Sequence, residues 1–380
     1  MGLEIKKVET SQHIRKFHDL PHRLYQGYPN WAPPFEFEVE AVFDAKKNIY
    51  FNYGECQRYL VLERDRVCGR FAVMHTKDKQ NSEDRSSGGI GFIEMENDPS
   101  IFNQMLAFSK EWLSHRGINR MQGPVNFGSN DTFWGLLVQN FEEPPIYGMW
   151  YHPPYYKELI EATGPAKVDD HFSYKRRFDQ PLPERLERIV DRVERNSKVQ
   201  LRSMTPKTIE DDATFICDIY NKAWSEQDIR DREEEFEPMT TEAVRSMARK
   251  LKKVMMPESN YLVFVDNEPA SFIASIPDLY ELSKELKGRI RWWNIPRVMT
   301  FKNRATRLRT LAFGTVPRYR KLGVEALVFV RGIQNVKRAY PKLNALEGGW
   351  VSEKNWLMQR SLEALGMVHH KTHRTYEWSW

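Results

Sequence analysis

The chain has 380 residues, 41% hydrophobic and 13% aromatic, which is enough apolar surface for more than one core and excludes global disorder. Its 57 Lys and Arg against 52 Asp and Glu leave a formal charge of +5, spread along the chain and too small to argue for a nucleic-acid partner. Three scattered cysteines, Cys56, Cys68 and Cys217, have neither disulfide-scaffold nor metal-ligand spacing and suit a reducing compartment.

The amino-terminal MGLEIKKVETSQHIRKF lacks the apolar core of a secretory signal, and Thr10 and Ser11 come too late to make Gly2 a myristoylation site. No apolar run approaches the roughly 18 residues of a membrane span, so a soluble, cytoplasmic protein is expected. In chain order, Leu3 to Val8 alternates as a strand, and Ser11 to Leu24 follows with helical spacing, Ser11 serving as N-cap. An aromatic and proline-rich passage then precedes RYLVLERDRVCGRFAVM, a hairpin turning at Asp65-Arg66. The polar stretch from Lys77 to Ser87 predicts a surface loop. GGIGFIEME reads as a strand, Asp98-Pro99 opens a helix from Ser100 to Arg116, and INRMQGPV is a short buried strand. PPYYKELIEATG is a helix stopped by Gly164, and DDHFSYKRRF is a strand.

A boundary is expected near Pro181-Leu182-Pro183, giving domains 1–180 and 181–380. Beyond it come the amphipathic helix PERLERIVDRVERN, the strand VQLRSM, and helices from Thr208 to Trp224 and Thr240 to Lys253. The hairpin YLVFVDNEPASFIASI turns at Asp266-Asn267-Glu268 and is followed by a basic passage from Arg289 to Arg309. That passage, with Trp292 and Trp293, suits either contact with anionic headgroups or RNA, or an insertion covering a sheet edge. The strand RTLAFGTV, a helix reaching Tyr340, the strand LNALEGGWV, the helix NWLMQRSLEALG and the strand HKTHRTYEW complete the chain. The hairpin turns and the helix-ending Gly164 and Gly366 recur at nearly the same offset. The expected fold class is therefore α+β, of the α/β three-layer type: two copies of one unit, each a mixed, mostly antiparallel sheet flanked by helices.

The most informative stretch is Thr315-Val316-Pro317-Arg318-Tyr319-Arg320-Lys321-Leu322-Gly323-Val324-Glu325-Ala326. It places bases and a glycine between a strand and a helix start, where free N–H groups hold anions. Gly323 admits close backbone approach, and Arg318, Arg320 and Lys321 add charge. Glu325 is discordant, because a carboxylate in the first turn favours the helix dipole but repels a bound pyrophosphate unless it points away. The plain alternative is a solvated basic turn. The equivalent place in the first half carries Glu94, Glu96 and Asp98, which are wrong for a phosphate cradle. The glycines Gly88, Gly89 and Gly91 precede a strand instead of following one, which excludes a dinucleotide fingerprint.

The loop and the element order around it resemble the GNAT (Gcn5-related N-acyltransferase) superfamily. Arg320-Lys321-Leu322-Gly323-Val324-Glu325 matches the first part of that family's acyl-CoA loop and departs at Glu325. The resemblance implies two tandem GNAT-like units, with acetyl-CoA or another acyl-CoA bound in the second through Thr315, Val316, Arg318, Arg320 to Val324, Glu325 and Ala326. It implies acyl transfer from the thioester to an amine of a small-molecule or peptide acceptor. A non-catalytic binding module and an aminoacyl-tRNA-dependent transferase stay open as alternatives.

Acyl transfer requires a base, a donor for the thiolate and N–H groups at the carbonyl. Glu347 is the candidate base: it ends a buried-looking strand, Gly348 and Gly349 splay the backbone beside it, and partial burial would raise its pKa. The resemblance puts Asn355 at the asparagine opening the fourth helix, but Leu362 where the family often has a tyrosine donor; Tyr319 and Tyr376 are weaker substitutes. In the first half, Asn126, Asp131, Trp134 and Tyr151 are candidates for a polar substrate pocket, or else belong to a turn-rich connection capping a following helix. His369, His370 and His373 lack the company of a metal site and read as solvated strand-end residues.

Overall fold

The computed structural model describes residues 2–76, 87–225 and 238–380. The loop expected over 77–86 lies outside the described residues, and Ser87 already belongs to a strand.

The elements in order are β1 (Leu3–Lys7), α1 (Ser11–Leu24), α2 (Glu36–Phe43), β2 (Gly54–Glu63), β3 (Arg66–Thr76), β4 (Ser87–Met95), α3 (Pro99–Ser114), β5 (Arg120–Gly123), β6 (Leu136–Gln139), α4 (Tyr155–Glu161) and β7 (Ala166–Arg177). They continue with α5 (Glu184–Glu194), β8 (Val199–Ser203), α6 (Ile209–Ser225), α7 (Thr241–Leu251), β9 (Tyr261–Val265), β10 (Glu268–Pro277), α8 (Leu279–Leu286) and α9 (Ile295–Thr300). The last are β11 (Arg307–Thr315), α10 (Val324–Ala339), β12 (Ala345–Ser352), α11 (Trp356–Ala364) and β13 (Val368–Ser379).

Local chemistry explains most boundaries. The N-cap of α1 is Thr10 rather than Ser11: its side chain accepts the His13 N–H, satisfying one of the orphan donors of the first turn. Asp98 does the same for α3 through the Ser100 N–H at 2.8 Å, with Pro99 starting the helix. The stretch holding Asn126 and Asp131 leads into β6, not into a helix, so the expected helix-capping role is corrected. Sequence patterning also missed α2, whose apolar and acidic residues alternate without a clear helical stripe.

The chain forms two compact units. The first comprises Met1–Phe172, Ser283–Ile290 and Lys371–Trp380; the second comprises Ser173–Leu282 and Arg291–His370. In the first, β1 to β4 pair antiparallel in sequence order, and β5 joins β4 in parallel. The carboxy-terminal strand then pairs antiparallel with β5, Tyr376 opposite Gly123 and Trp378 opposite Met121, and also holds β6. Tyr376 and Trp378 are buried in a core with Phe71, Phe102 and Met105. In the second unit β8, β9, β10 and β11 pair antiparallel, and β12 lies parallel to β11. Its core gathers Ile216, Ile219, Leu262 and Phe272 under α6.

One polar knot sits inside the first unit. Glu94, 2% exposed, accepts hydrogen bonds from the Tyr25 and Tyr156 hydroxyls at 2.7 and 2.8 Å and lies 3.5 Å from Arg70, which is equally buried. Arg70 also donates to the Phe17 carbonyl at 2.6 Å. Burial pushes the Glu94 carboxyl up and the Arg70 guanidinium down from their ordinary values.

Candidate functional site

The basic loop of the second unit is a short 3-10 segment, Pro317–Leu322, closed by Gly323 and opening directly into α10. Gly323 has φ +84°, a left-handed conformation, and an added Cβ would collide with the Ile189 Cγ2 of α5. The glycine is thus required by the turn and by the neighbouring helix, a reason beyond ligand approach. Gly323→Ala is expected to lower unfolding stability by about 1–3 kcal/mol in denaturant titration, through strain and overlap together.

The three bases divide their tasks. Arg318 is ion-paired with Glu268 and lies 4.6 Å from the Tyr319 ring. Arg320 donates to the Ala223 carbonyl at 3.0 Å, whereas Lys321 is exposed. Thr315 and Val316 are buried, the Thr315 hydroxyl lying 2.8 Å from that of Ser271 and the Val316 N–H bonded to the Ala270 carbonyl. The neighbouring Leu322 is 38% exposed, while Val324 and Ala326 are packed inward.

Glu325, in the first turn of α10, has a buried Oε2 without a hydrogen-bond partner, and burial raises its pKa although it accepts from its own backbone N–H and Arg320 lies near. An anion at the amino end of α10 would meet Lys321 and, against it, the Glu325 carboxylate.

A second feature lies along β11 and β12. Their parallel pairing runs from Arg307 opposite Ala345 to Thr310 opposite Gly348 and stops there, while β11 continues to Thr315 and β12 to Ser352. Past Gly348 the two strands part, leaving backbone groups of both outside the ladder. Leu308 and Leu346 line a small apolar cavity with Phe329, Ile333 and Val336 of α10. Arg309 and Glu347, next along the strands, turn to the opposite face.

On that face Glu347 is 1% exposed; its Oε1 accepts from Ser173 Oγ at 2.7 Å and lies 2.9 Å from His370 Nδ1, while Oε2 is buried without a hydrogen-bond partner. The expected upward pKa shift is corrected. Burial does raise it, but His370, Arg307 and Ser173 together outweigh that and hold the carboxyl below its ordinary value. Arg307 also serves Asp278 and Glu281, so one cation faces three carboxylates. Asp278, fully buried, takes the strain: desolvation, with Glu281 and Glu347 near, pushes it up to about 6 despite Arg307.

Asn355 caps α11, its Oδ1 accepting the Met358 N–H at 3.2 Å, and is 9% exposed. Tyr319 and Tyr376 donate to Glu268 and Glu161 at 3.2 and 2.8 Å. In the first unit Asn126 Nδ2 bonds the Ser129 carbonyl at 3.4 Å, and Asp131 accepts from the Ser129 hydroxyl. Trp134 Nε1 donates to Thr375 at 3.1 Å. Tyr151 is buried beside Tyr25, their ring centres 6.1 Å apart. Loop closure and packing thus engage all four. The histidines depart from expectation: His369 is exposed, but His370 is 8% and His373 1% exposed, the latter bonded to the Trp150 carbonyl at 2.8 Å. No group of metal-ligating side chains occurs among the described residues.

No protein-family model matches the chain. Its sequence is similar to that of a bacterial ceramide synthase from Caulobacter vibrioides, 30% identical over 385 residues covering 99% of this chain and 97% of that protein. It is also similar to Protein YghO of Escherichia coli, 25% identical over 370 residues covering 96% and 92% of the two chains. In structure it resembles a tandem GNAT protein from the clavulanic acid biosynthesis pathway, with a TM-score of 0.56, 10% identity and coverage of 100% and 98%. A GCN5-related N-acetyltransferase from Sphaerobacter thermophilus gives a TM-score of 0.52 at 12% identity, covering 99% and 95%.

Proposed function

Because this chain belongs to one family with bacterial ceramide synthase and has the fold of tandem GNAT proteins, we propose that it is an acyl-CoA-dependent N-acyltransferase whose acceptor is a long-chain amino alcohol. The acceptor follows the name of the relative, since a ceramide is the amide of a fatty acid and such an amine. The observation carrying the chemistry is the buried Glu347–His370 contact at 2.9 Å on the strand that leaves the β11–β12 ladder at Gly348.

In this reading acyl-CoA is the donor substrate, its pyrophosphate held by Lys321 and the first-turn N–H groups of α10. His370 accepts the amine proton as the C–N bond forms and the C–S bond breaks, and CoA leaves as the thiolate. Glu347 accepts the Nδ1–H, fixes the ring orientation and stabilises the imidazolium. Backbone N–H groups beside the point where the β11–β12 pairing ends polarise the thioester carbonyl. Asn355 acts by holding the start of α11, and Asn126, Asp131, Trp134 and Tyr151 stand as candidates for a polar pocket within the first unit. The repeated element order supports duplication of one unit, with halves meeting near 180/181.

The test is incubation of the purified protein with a long-chain acyl-CoA and a long-chain base, following free thiol and the amide product by mass spectrometry. Neither thiol nor amide, with acyl-CoA bound in calorimetry, would favour the binding-module reading that Glu325 and Leu362 support.

Glu325 supplies a separate prediction. Glu325→Gln is expected to tighten acyl-CoA binding about three- to tenfold by removing a like charge from the helix terminus. An anion beside Glu325 raises its already elevated pKa further, so binding takes up a proton and wild-type affinity rises as pH falls. The variant loses that part of the pH dependence in calorimetry; an unchanged Kd with unchanged slope would remove Glu325 from the cradle.

A further inference from the structure

The segment 291–304 has an outward face unlike that of an ordinary surface helix. Trp292–Asn294 and Phe301–Asn303 are 3-10 turns that extend α9 at either end. Asn294 and Phe301 point inward, at 8% and 2% exposure. The outward positions are apolar too: Trp292 is 78% exposed, Trp293 53%, Ile295 51% and Met299 62%. Trp292, Ile295 and Met299 follow the spacing of one helical face, and the rings of Trp292 and Trp293 meet edge to face at 5.6 Å. An insertion folded over a sheet edge would turn such side chains inward, yet here the largest of them face water.

The charge along this segment has one sign. From Arg291 to Arg304 there are four bases and no acid. Arg291 lies 5.1 Å from the Trp293 ring, and among the described residues neither Arg291, Arg297 nor Lys302 is ion-paired with a carboxylate. Exposed tryptophans and aliphatics rimmed by unneutralised cations match the interface of an anionic bilayer, where indole rings sit at headgroup depth and cations meet phosphates. RNA would use the cations and the rings but not Ile295 and Met299. A second copy carrying the same positive charge would be repelled.

We propose that residues 291–304 form a peripheral docking ridge for membranes rich in anionic phospholipid. Trp292, Trp293, Ile295 and Met299 enter the interface and Arg291, Arg297 and Lys302 contact headgroups. The proposal rests on this surface alone, not on the acyl-transfer reading, so its test needs no turnover. Full-length protein is sedimented with vesicles of phosphatidylcholine, with and without phosphatidylglycerol. The wild type is expected to bind the mixed vesicles and to bind pure phosphatidylcholine at least about tenfold more weakly.

Trp292→Ser with Met299→Ser is expected to weaken binding to mixed vesicles about tenfold or more, at unchanged melting temperature, because both side chains already stand in water. Arg297→Gln with Lys302→Gln is expected to erase the preference for phosphatidylglycerol. Equal sedimentation of all variants would overturn the proposal. So would a self-association in light scattering that the Trp292→Ser change abolishes, or retention of single-stranded RNA by the same residues without vesicle binding.

Discussion

His370→Ala is expected to lower kcat by about 10²–10⁴-fold with little change in acyl-CoA affinity, because it deletes the proposed proton acceptor and leaves the loop before α10 intact. Glu347→Gln is expected to lose less, about 10–100-fold, since the amide still fills the site beside Ser173 but no longer stabilises a protonated ring. The two substitutions together should cost about as much as His370→Ala alone, because the residues act as one unit. The pH–rate profile separates the roles further. His370, Ser173 and Arg307 hold the Glu347 carboxyl below its ordinary range, so it is already ionised at neutral pH and contributes no limb near neutrality. The same depressed value means that its stabilising contribution is present above the unfolded-state pKa and is lost as pH falls through the folded one. A His370→Ala variant with kcat within a few-fold of wild type would sink the assignment.

Arg70→Met is expected to cost about 3–5 kcal/mol of unfolding stability, the largest single effect outside the site. Arg70 and Glu94 are each 2% exposed, and the substitution strands the carboxylate in the core with only two tyrosine hydroxyls. The sign of the pH dependence is fixed by the raised pKa of Glu94. A carboxyl that binds its proton more tightly when folded favours the native state in acid and opposes it as pH rises through the folded value. Without Arg70 that rise is larger, so the deficit should be smallest in acid and grow towards neutral pH. Adding Glu94→Gln should restore much of the loss, since both charges are then gone. Urea titrations of the two variants at acid and neutral pH would decide the matter: a deficit independent of pH would mean that lost packing, not a stranded charge, dominates.

What could be read from the sequence follows from range. Alternation and turn chemistry are local, so the hairpins at Asp65 and Asp266 and the run from strand through loop into α10 were legible. Glu347 was legible as a candidate because Gly348 and Gly349 sit beside it. Its electrostatics were not, because Ser173 and His370 arrive from distant parts of the chain and reverse the shift that burial alone predicts. By sequence His370 reads as a solvated strand-end residue. Thr372 and His373 are buried as well as His370, so along that stretch both faces are covered and alternation carries no signal. Asp278 carries a local signal: Pro-Asp before a helical pattern marks an N-cap, and its carboxylate accepts the Tyr280 N–H at 3.0 Å.

The final ten residues, Lys371–Trp380, lie in the first unit and supply the strand beside β5. β5 therefore waits for a partner made long after it: until β13 is in place, one edge of β5 is unpaired and the core lacks Tyr376 and Trp378. A substitution that weakens β13 should thus loosen a unit most of whose residues come far earlier in the chain.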